Sequence, residues 1–337
     1  MFALSPAGIP GQHAGASRPN EVGEVVVAGR VGPNFGITRF TRHGELDESF
    51  GQDGKFVLKL SACDRPPAPT IGTTRDIALQ PDGKIVVVGI CSSWSDGYSI
   101  MLARLLPDGT PDRGFGDGGS VISDAGLANV RPEAVAVQPD GRLVVSGESG
   151  ADPFVARFLP DGSLDPEFAD SGAEAGNPPE FSGGTDLALQ NDGKIVAVGG
   201  AAFGPIDSGF GVARYLPDGT IDQGFGSGGL ARTMFPQTKI QDVAFGVALE
   251  DDGRIVVAGA TNWEISDMRH LPRFGIARYR RDGMLDRSFG HKGKTTVGFG
   301  VRGYRTGEGR DVAIAPDGRI VVVGEAGKDF VIARLLG

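Results

Sequence analysis

One fifteen-residue pattern is written five times along the chain, and it restricts the fold more than any other feature. It reads RDIALQPDGKIVVVG at 75–89, EAVAVQPDGRLVVSG at 133–147, TDLALQNDGKIVAVG at 185–199, FGVALEDDGRIVVAG at 245–259 and RDVAIAPDGRIVVVG at 310–324. A shorter copy, EVVVAG, runs over 24–29. The alternation and the β-branched residues predict strands. The central Pro-Asp-Gly predicts a tight turn, because Pro presets φ and Gly accepts positive φ. Ile77 and Leu79 fall on one face of the first strand, A. In the second, B, the run Ile85 to Val88 is apolar on both faces, as a strand packed between two layers requires.

A third strand, C, recurs as FGITRF (35–40), IMLARL (100–105), FVARF (154–158), FGVARY (210–215), FGIARY (274–279) and FVIARL (330–335). It leads into a second fixed passage. Gly44, Gly109, Gly162, Gly219 and Gly283 are each followed three residues later by Asp47, Asp112, Asp165, Asp222 and Asp286, and three further on by Phe50, Phe115, Phe168, Phe225 and Phe289. A fourth strand, D, is expected after four of these; after Phe168 the copy is degraded and a strand is not assured. The glycine ending strand B stands at 29, 89, 147, 199, 259 and 324. About six units of four short antiparallel strands read as propeller blades. The expected fold is therefore all-β, a single six-bladed β-propeller domain with blades at 1–62, 72–124, 131–181, 184–236, 242–299 and 309–337, the first blade incomplete. Residues 2–8 echo strand A and are read either as strand A of blade one or as strand D of blade six.

These motifs resemble the delta-60 repeat family, whose units run from a QPDGKIVVxG hairpin through an F-x-x-A-R strand to PDGxLDxxFGxGG. The resemblance covers about 24–337, with local departures where Asn191, Asp251 and Arg281 replace a turn proline and Phe168-Ala169 breaks the FG pair. It implies a propeller-like bacterial protein and carries over no shared catalytic residues.

Composition narrows the partners. A net charge of −9 argues against nucleic acid or an anionic membrane as the main target. No apolar run reaches the roughly 18 residues that span a bilayer, and residues 1–15 have neither the basic nor the apolar region of a secretory signal. A monomer is expected.

Residues present in every copy are expected to be structural. The strand C arginines Arg39, Arg104, Arg157, Arg214 and Arg278 each precede an aspartate by eight residues, and each pair is expected to bond within its blade; Arg334 is the sixth arginine. The Asp108–Asp112 spacing is read as turn capping, since it lacks the ligand density of a calcium loop. Binding is expected where the copies differ, on the face bearing the B–C and D–A loops. Trp94, Tyr98, Phe203 and Trp263 lie in or beside B–C loops and are the candidate ligand-binding residues, with burial over their own blades the alternative. Asp76, Asp186 and Asp311, read as the first residues of strand A in alternate blades, are candidate ligands for Ca or Mg; the alternative has them accepting loop N–H groups beside Arg75 or Arg310. Cys63 and Cys91 are read as a disulfide or as two free thiols. His13, His43, His270 and His291 are scattered, and no nucleophile is paired with a base.

The expected function is that of a non-enzymatic scaffold recognising a protein or carbohydrate, with no catalytic residues and no cofactor. A metal-dependent hydrolase or lactonase-like enzyme built on the three aspartates is the runner-up. A structural module of a larger surface protein is the third reading.

Overall fold

The computed structural model describes residues 12–19, 23–32, 34–58, 73–93, 97–204, 207–235, 241–263, 273–299, 307–326 and 329–336. Every regular element among them is a strand. The chain divides into two compact units, Met1–Gly150 with Val155–Ala175, and Ala151–Phe154 with Gly176–Gly337.

The first unit holds three four-stranded sheets. One is β1 (Gln12–Pro19), β2 (Val25–Val31), β3 (Asn34–Phe40) and β4 (Lys55–Leu58), in that order. The next is β5 (Thr73–Leu79), β6 (Ile85–Ser93), β7 (Gly97–Leu105) and β8 (Ser120–Ser123). The third is β9 (Val130–Val137), β10 (Leu143–Ser149), β11 (Asp152–Phe158), whose first residues belong to the second unit, and the short β12 (Ala173–Ala175). The second unit holds β13 (Phe181–Leu189), β14 (Ile195–Ala202), β15 (Ser208–Tyr215) and β16 (Leu230–Thr233). A matching set follows in β17 (Gln241–Leu249), β18 (Ile255–Trp263), β19 (Arg273–Tyr279) and β20 (Lys294–Val297). One parallel pair, Ser208 with Gln241, joins these two sets into an eight-stranded sheet. The last sheet has three strands, β21 (Gly307–Ile314), β22 (Ile320–Ala326) and β23 (Asp329–Leu335).

The first strand set is complete, against expectation, and the three-stranded set is the last. QHAGASRP of β1 has no apolar alternation, yet its main chain pairs with β2 from Gln12–Val31 to Pro19–Val25. Backbone pairing does not require a patterned side-chain sequence, so the pattern could not reveal it.

The A–B turns close as predicted. Gly83 has φ +81 and donates to the Gln80 oxygen at 2.9 Å. Substitution of the turn proline leaves the turn intact, because Gly193 donates to Gln190 and Gly253 to Glu250 at 2.9 and 2.8 Å. In β6, Ile85, Val86, Val87 and Val88 are all buried, each worth about 1.5–3 kcal/mol. Cores form between successive sheets. In the first unit, Val26, Phe35 and Ile37 pack with Ile77, Ile85 and Val87. In the second, Val196, Phe210 and Val212 pack with Val247, Ile255 and Val257.

These junctions share one device. The phenylalanine opening strand C of one set fills the space over the glycine ending strand B of the next. A Cβ on Gly89 would lie 2.5 Å from the Phe35 ring, on Gly259 2.9 Å from Phe210, and on Gly324 2.7 Å from Phe274. The corresponding Phe330 of β23 is 77% exposed, and Ile332 beside it 60%.

Candidate functional site

The five arginine–aspartate pairs form as the eight-residue spacing requires. The Nε atoms of Arg39, Arg104, Arg157, Arg214 and Arg278 donate to Asp47, Asp112, Asp165, Asp222 and Asp286 at 2.6, 2.8, 2.7, 2.9 and 2.9 Å. Each guanidinium also lies over the phenylalanine of its own FG passage, from Phe50 at 4.9 Å to Phe225 at 4.4 Å. Arg334, exposed on the last strand, pairs instead with Asp317 of its own A–B turn at 2.5 Å. Burial by itself would raise the Asp112 carboxyl, but the Gly114 amide and the Arg104 guanidinium outweigh it and hold it below the usual carboxylate value. Asp165 and Asp222 are lowered against burial in the same way, by the amides of Glu167 and Gly224 and by their arginines.

The guanidinium has a second partner that the spacing does not reveal. Nη1 of Arg39 donates to the Pro107 oxygen (2.6 Å), Arg104 to Pro160 (2.5 Å) and Arg214 to Arg281 (2.5 Å), each in the C–D turn of the following set. Beside it, the amides of Gly51, Gly116 and Gly226 donate to Asp108, Asp161 and Asp282 of that same turn. Asp108 is a turn cap, accepting from the Thr110 amide at 2.8 Å and its hydroxyl at 2.7 Å. The repeated charges thus go into holding the corner within each set and, for Arg39, Arg104 and Arg214, into joining neighbouring sets, whereas Nη1 of Arg278 donates to Glu250 of its own set.

The three strand A aspartates lie further into their strands than the sequence reading placed them. β5 begins at Thr73, and a bulge between Thr74 and Asp76 turns Asp76 toward the following sheet. There it accepts from the Val135 amide at 3.0 Å. Asp186, past the corresponding irregularity in β13, accepts from Val247 at 2.8 Å and from Leu187 at 2.8 Å. Asp311 accepts from Val312 at 2.7 Å. Among the described residues no three His, Cys, Asp or Glu are grouped to hold a metal ion. The flanking arginines serve other acids, Arg75 pairing with Glu133 at 3.4 Å and Arg310 with Glu308 and Glu325 at 2.5 and 2.8 Å.

Of the loop aromatics, Trp94 lies outside the described residues, and Trp263 is described only by its backbone, paired with Gln241 at the end of β18. Tyr98 is half-buried under Arg131, whose guanidinium stands 4.3 Å from the ring centre. Phe203 is 39% exposed with Arg232 at 5.3 Å. Cys91, buried in β6, is disulfide-bonded, and the chain's other cysteine, Cys63, lies outside the described residues.

Phe203 also lines a groove of about 570 Å³ that the sequence reading missed. Its walls are the outermost strand β16 and the corner between β19 and β20. Four cations line it, Arg232, Arg287, Lys292 and Lys294, together with Met284 and Leu230, and none of its lining residues is a carboxylate. Comparing the same corner between copies would have found it. Where this corner has Arg287 and Lys292, the first copy has Glu48 and Asp53 and the fourth has Gln223 and Gly228.

A family model described as "Domain of unknown function (DUF5122) beta-propeller" matches residues 80–115, 138–168, 190–225, 250–289 and 315–336. The first four matches run from an A–B turn to an FG corner. No curated protein matches the chain. Among solved structures, a catalytically inactive variant of virginiamycin B lyase from Staphylococcus aureus with quinupristin is similar at 10% identity, covering 96% of this chain and 84% of that one, with a TM-score of 0.52. A glucose dehydrogenase is similar at 15% identity, covering 97% and 96%, also at 0.52. The Dos1 propeller is similar at 9% identity over 97% and 67%, again at 0.52. At such identity the likeness concerns the fold. The chain is a β-propeller repeat protein.

Proposed function

We propose that this is a six-bladed, non-enzymatic, monomeric binding scaffold that recognises a protein or carbohydrate through its variable B–C and D–A loops. The observation that carries this reading is the division of labour among the side chains. The charges repeated in every copy are engaged in bonds within and between blades, whereas Phe203, on a B–C loop that differs in every copy, keeps 39% of its surface open beside an arginine. An aromatic ring flanked by a guanidinium offers a face for a sugar ring or a side chain and a donor for its polar edge. Rigid sheets hold such loops without needing them for stability.

Asp76, Asp186 and Asp311 serve in this reading as struts rather than as cation ligands. The test is binding to glycan and peptide arrays, with Phe203→Ala and Tyr98→Ala as the altered proteins. Specific binding that Phe203→Ala abolishes without lowering the melting temperature supports the proposal. Binding indifferent to both substitutions, or a melting temperature raised by calcium or magnesium and restored by EDTA, overturns it.

A further inference from the structure

We infer that the groove along β16 is a docking site for an acidic, extended peptide segment of a partner protein. The inference rests on the binding-scaffold reading and names the partner class for the part of the surface that includes Phe203.

Three observations carry it. The first is charge. In a molecule of net charge −9, Arg232, Arg287, Lys292 and Lys294 line one groove with no carboxylate among the lining residues. Arg232, Arg287 and Lys292 are exposed. Arg232 donates to the Ala202 oxygen at 3.0 Å, and the half-buried Lys294 donates to the Met234 oxygen and lies near Asp242. Such a groove draws in an anionic partner and repels the cationic ones that the rest of the surface attracts.

The second observation is that the fold does not require these charges. The FG corner keeps its geometry in the first copy with Glu48 and Asp53, which occupy the positions of Arg287 and Lys292. Asp53 and Lys292 even share the left-handed backbone, φ 51 and 56. The third strand residue of β16, Arg232, stands where β4 has Val57 and β8 has Ile122. Arg232, Arg287 and Lys292, replaced in other copies by acids or apolar groups, are not part of the bonding that recurs between copies, whereas Lys294 matches Lys55 of the first copy and ties β20 to the Met234 oxygen beside β16.

The third is the shape of the wall. Among the described residues β16 pairs with β15 alone, from Phe210–Thr233 to Ala213–Leu230. An outermost strand offers main-chain groups to an added strand. Phe203 and Met284, the latter 55% exposed, supply apolar ground for alternate side chains of that strand. An anionic saccharide would satisfy the cations but not the strand edge, so a peptide fits the groove better.

The experiment uses the full chain and a fluorescent eight-residue peptide alternating glutamate and leucine, followed by anisotropy, with the lysine–leucine peptide as control. The expected result is binding of the acidic peptide alone, weakening tenfold or more in the variant Arg287→Glu/Lys292→Asp. That variant carries the first copy's own residues at the corner, so it should melt like the parent, and circular dichroism checks this. Retained affinity in the variant, or equal binding of the lysine peptide, overturns the inference. Polyglucuronate that displaces the peptide and binds tighter would overturn the peptide class. Affinity unchanged by the double substitution sinks the groove assignment, and the scaffold reading stands beside that result if array binding is still lost in Phe203→Ala.

Discussion

Nη1 of Arg104 donates across 2.5 Å to the main-chain oxygen of Pro160, fifty-six residues further along and in the next sheet's C–D turn. The same guanidinium holds Asp112 through Nε. One side chain therefore fixes a corner of its own sheet and a turn of its neighbour. Replacing Arg104 with Ala leaves the buried Asp112 with only the Gly114 amide and the more distant Lys84, 3.5 Å away, and should cost up to about 3–5 kcal/mol in urea unfolding. Arg104→Lys should recover little, because an ammonium cannot reach both partners with a fixed fork. A lysine variant as stable as the parent would refute this account of the corner.

Asp76 makes a different link, from its carboxylate to the Val135 amide. Asp76→Ala removes the acceptor and leaves that amide without it, an effect of about 1–3 kcal/mol. Asp76→Asn keeps an acceptor oxygen and should lose less. Calcium should raise the midpoint of neither the parent nor the variants. A calcium-dependent rise that Asp76→Ala abolishes would instead restore the metal reading.

The contact of Phe35 with Gly89 should be sensitive from both sides. Phe35→Ala opens a cavity costing about 3–5 kcal/mol. Gly89→Ala places a methyl 2.4 Å from the Thr73 main-chain oxygen and 2.5 Å from the ring and should cost about 1–3 kcal/mol through overpacking, of which only the part against the ring is relieved by a smaller residue at 35. Combining Gly89→Ala with Phe35→Leu should destabilise less than the two single effects added together, as residues in contact do. Strict additivity in a double-mutant cycle would count against the contact.

Acid should weaken the fold in a defined window. Asp112, Asp165, Asp222 and Asp286 are all held below their ordinary value, against burial, by amide, hydroxyl and guanidinium donors; Asp47 is lowered first by the Ser49 hydroxyl. For a carboxylate lowered in the folded state, the stabilisation is fully present above the unfolded value of about 3.9 and is lost as pH falls through the folded one. The part of stability that these groups contribute should be constant from about pH 5 to neutrality and decline below about pH 4. Asp112→Asn should flatten that acid limb in urea titrations at successive pH values. An unchanged slope would exclude Asp112 as a contributor.

What could be read in advance depended on whether the partner was local. The Arg39–Asp47 pair and its four counterparts bond over eight residues of one chain segment, so spacing alone exposed them. The hand-off from Arg104 to Pro160 ends on a carbonyl, which every residue has, so no residue type marks it. Asp76 was open to reading as a cation ligand because the bulge before it, which decides where its carboxylate points, leaves no compositional trace. Strand β1 was hidden for the related reason that QHAGASRP has no period of two. The basic groove draws on two repeats at once, with Arg232 in one and Arg287 in the next, and only a position-by-position comparison of copies isolates it.

The Phe-over-Gly contact has a consequence for how such an array can grow. At three junctions a phenylalanine from one repeat packs against a glycine of its successor, and the repeat holding Gly259 and Phe274 carries the receptacle facing one way and the insert facing the other. A duplicate of that repeat therefore arrives already matched to both of its new neighbours. Lengthening the gene by that unit demands no second substitution to accommodate it, whereas enlarging the glycine meets the neighbour's ring and also the strand A oxygen of its own repeat. Drift in these two positions is thus shared between neighbours, while the loops are left to diverge one repeat at a time.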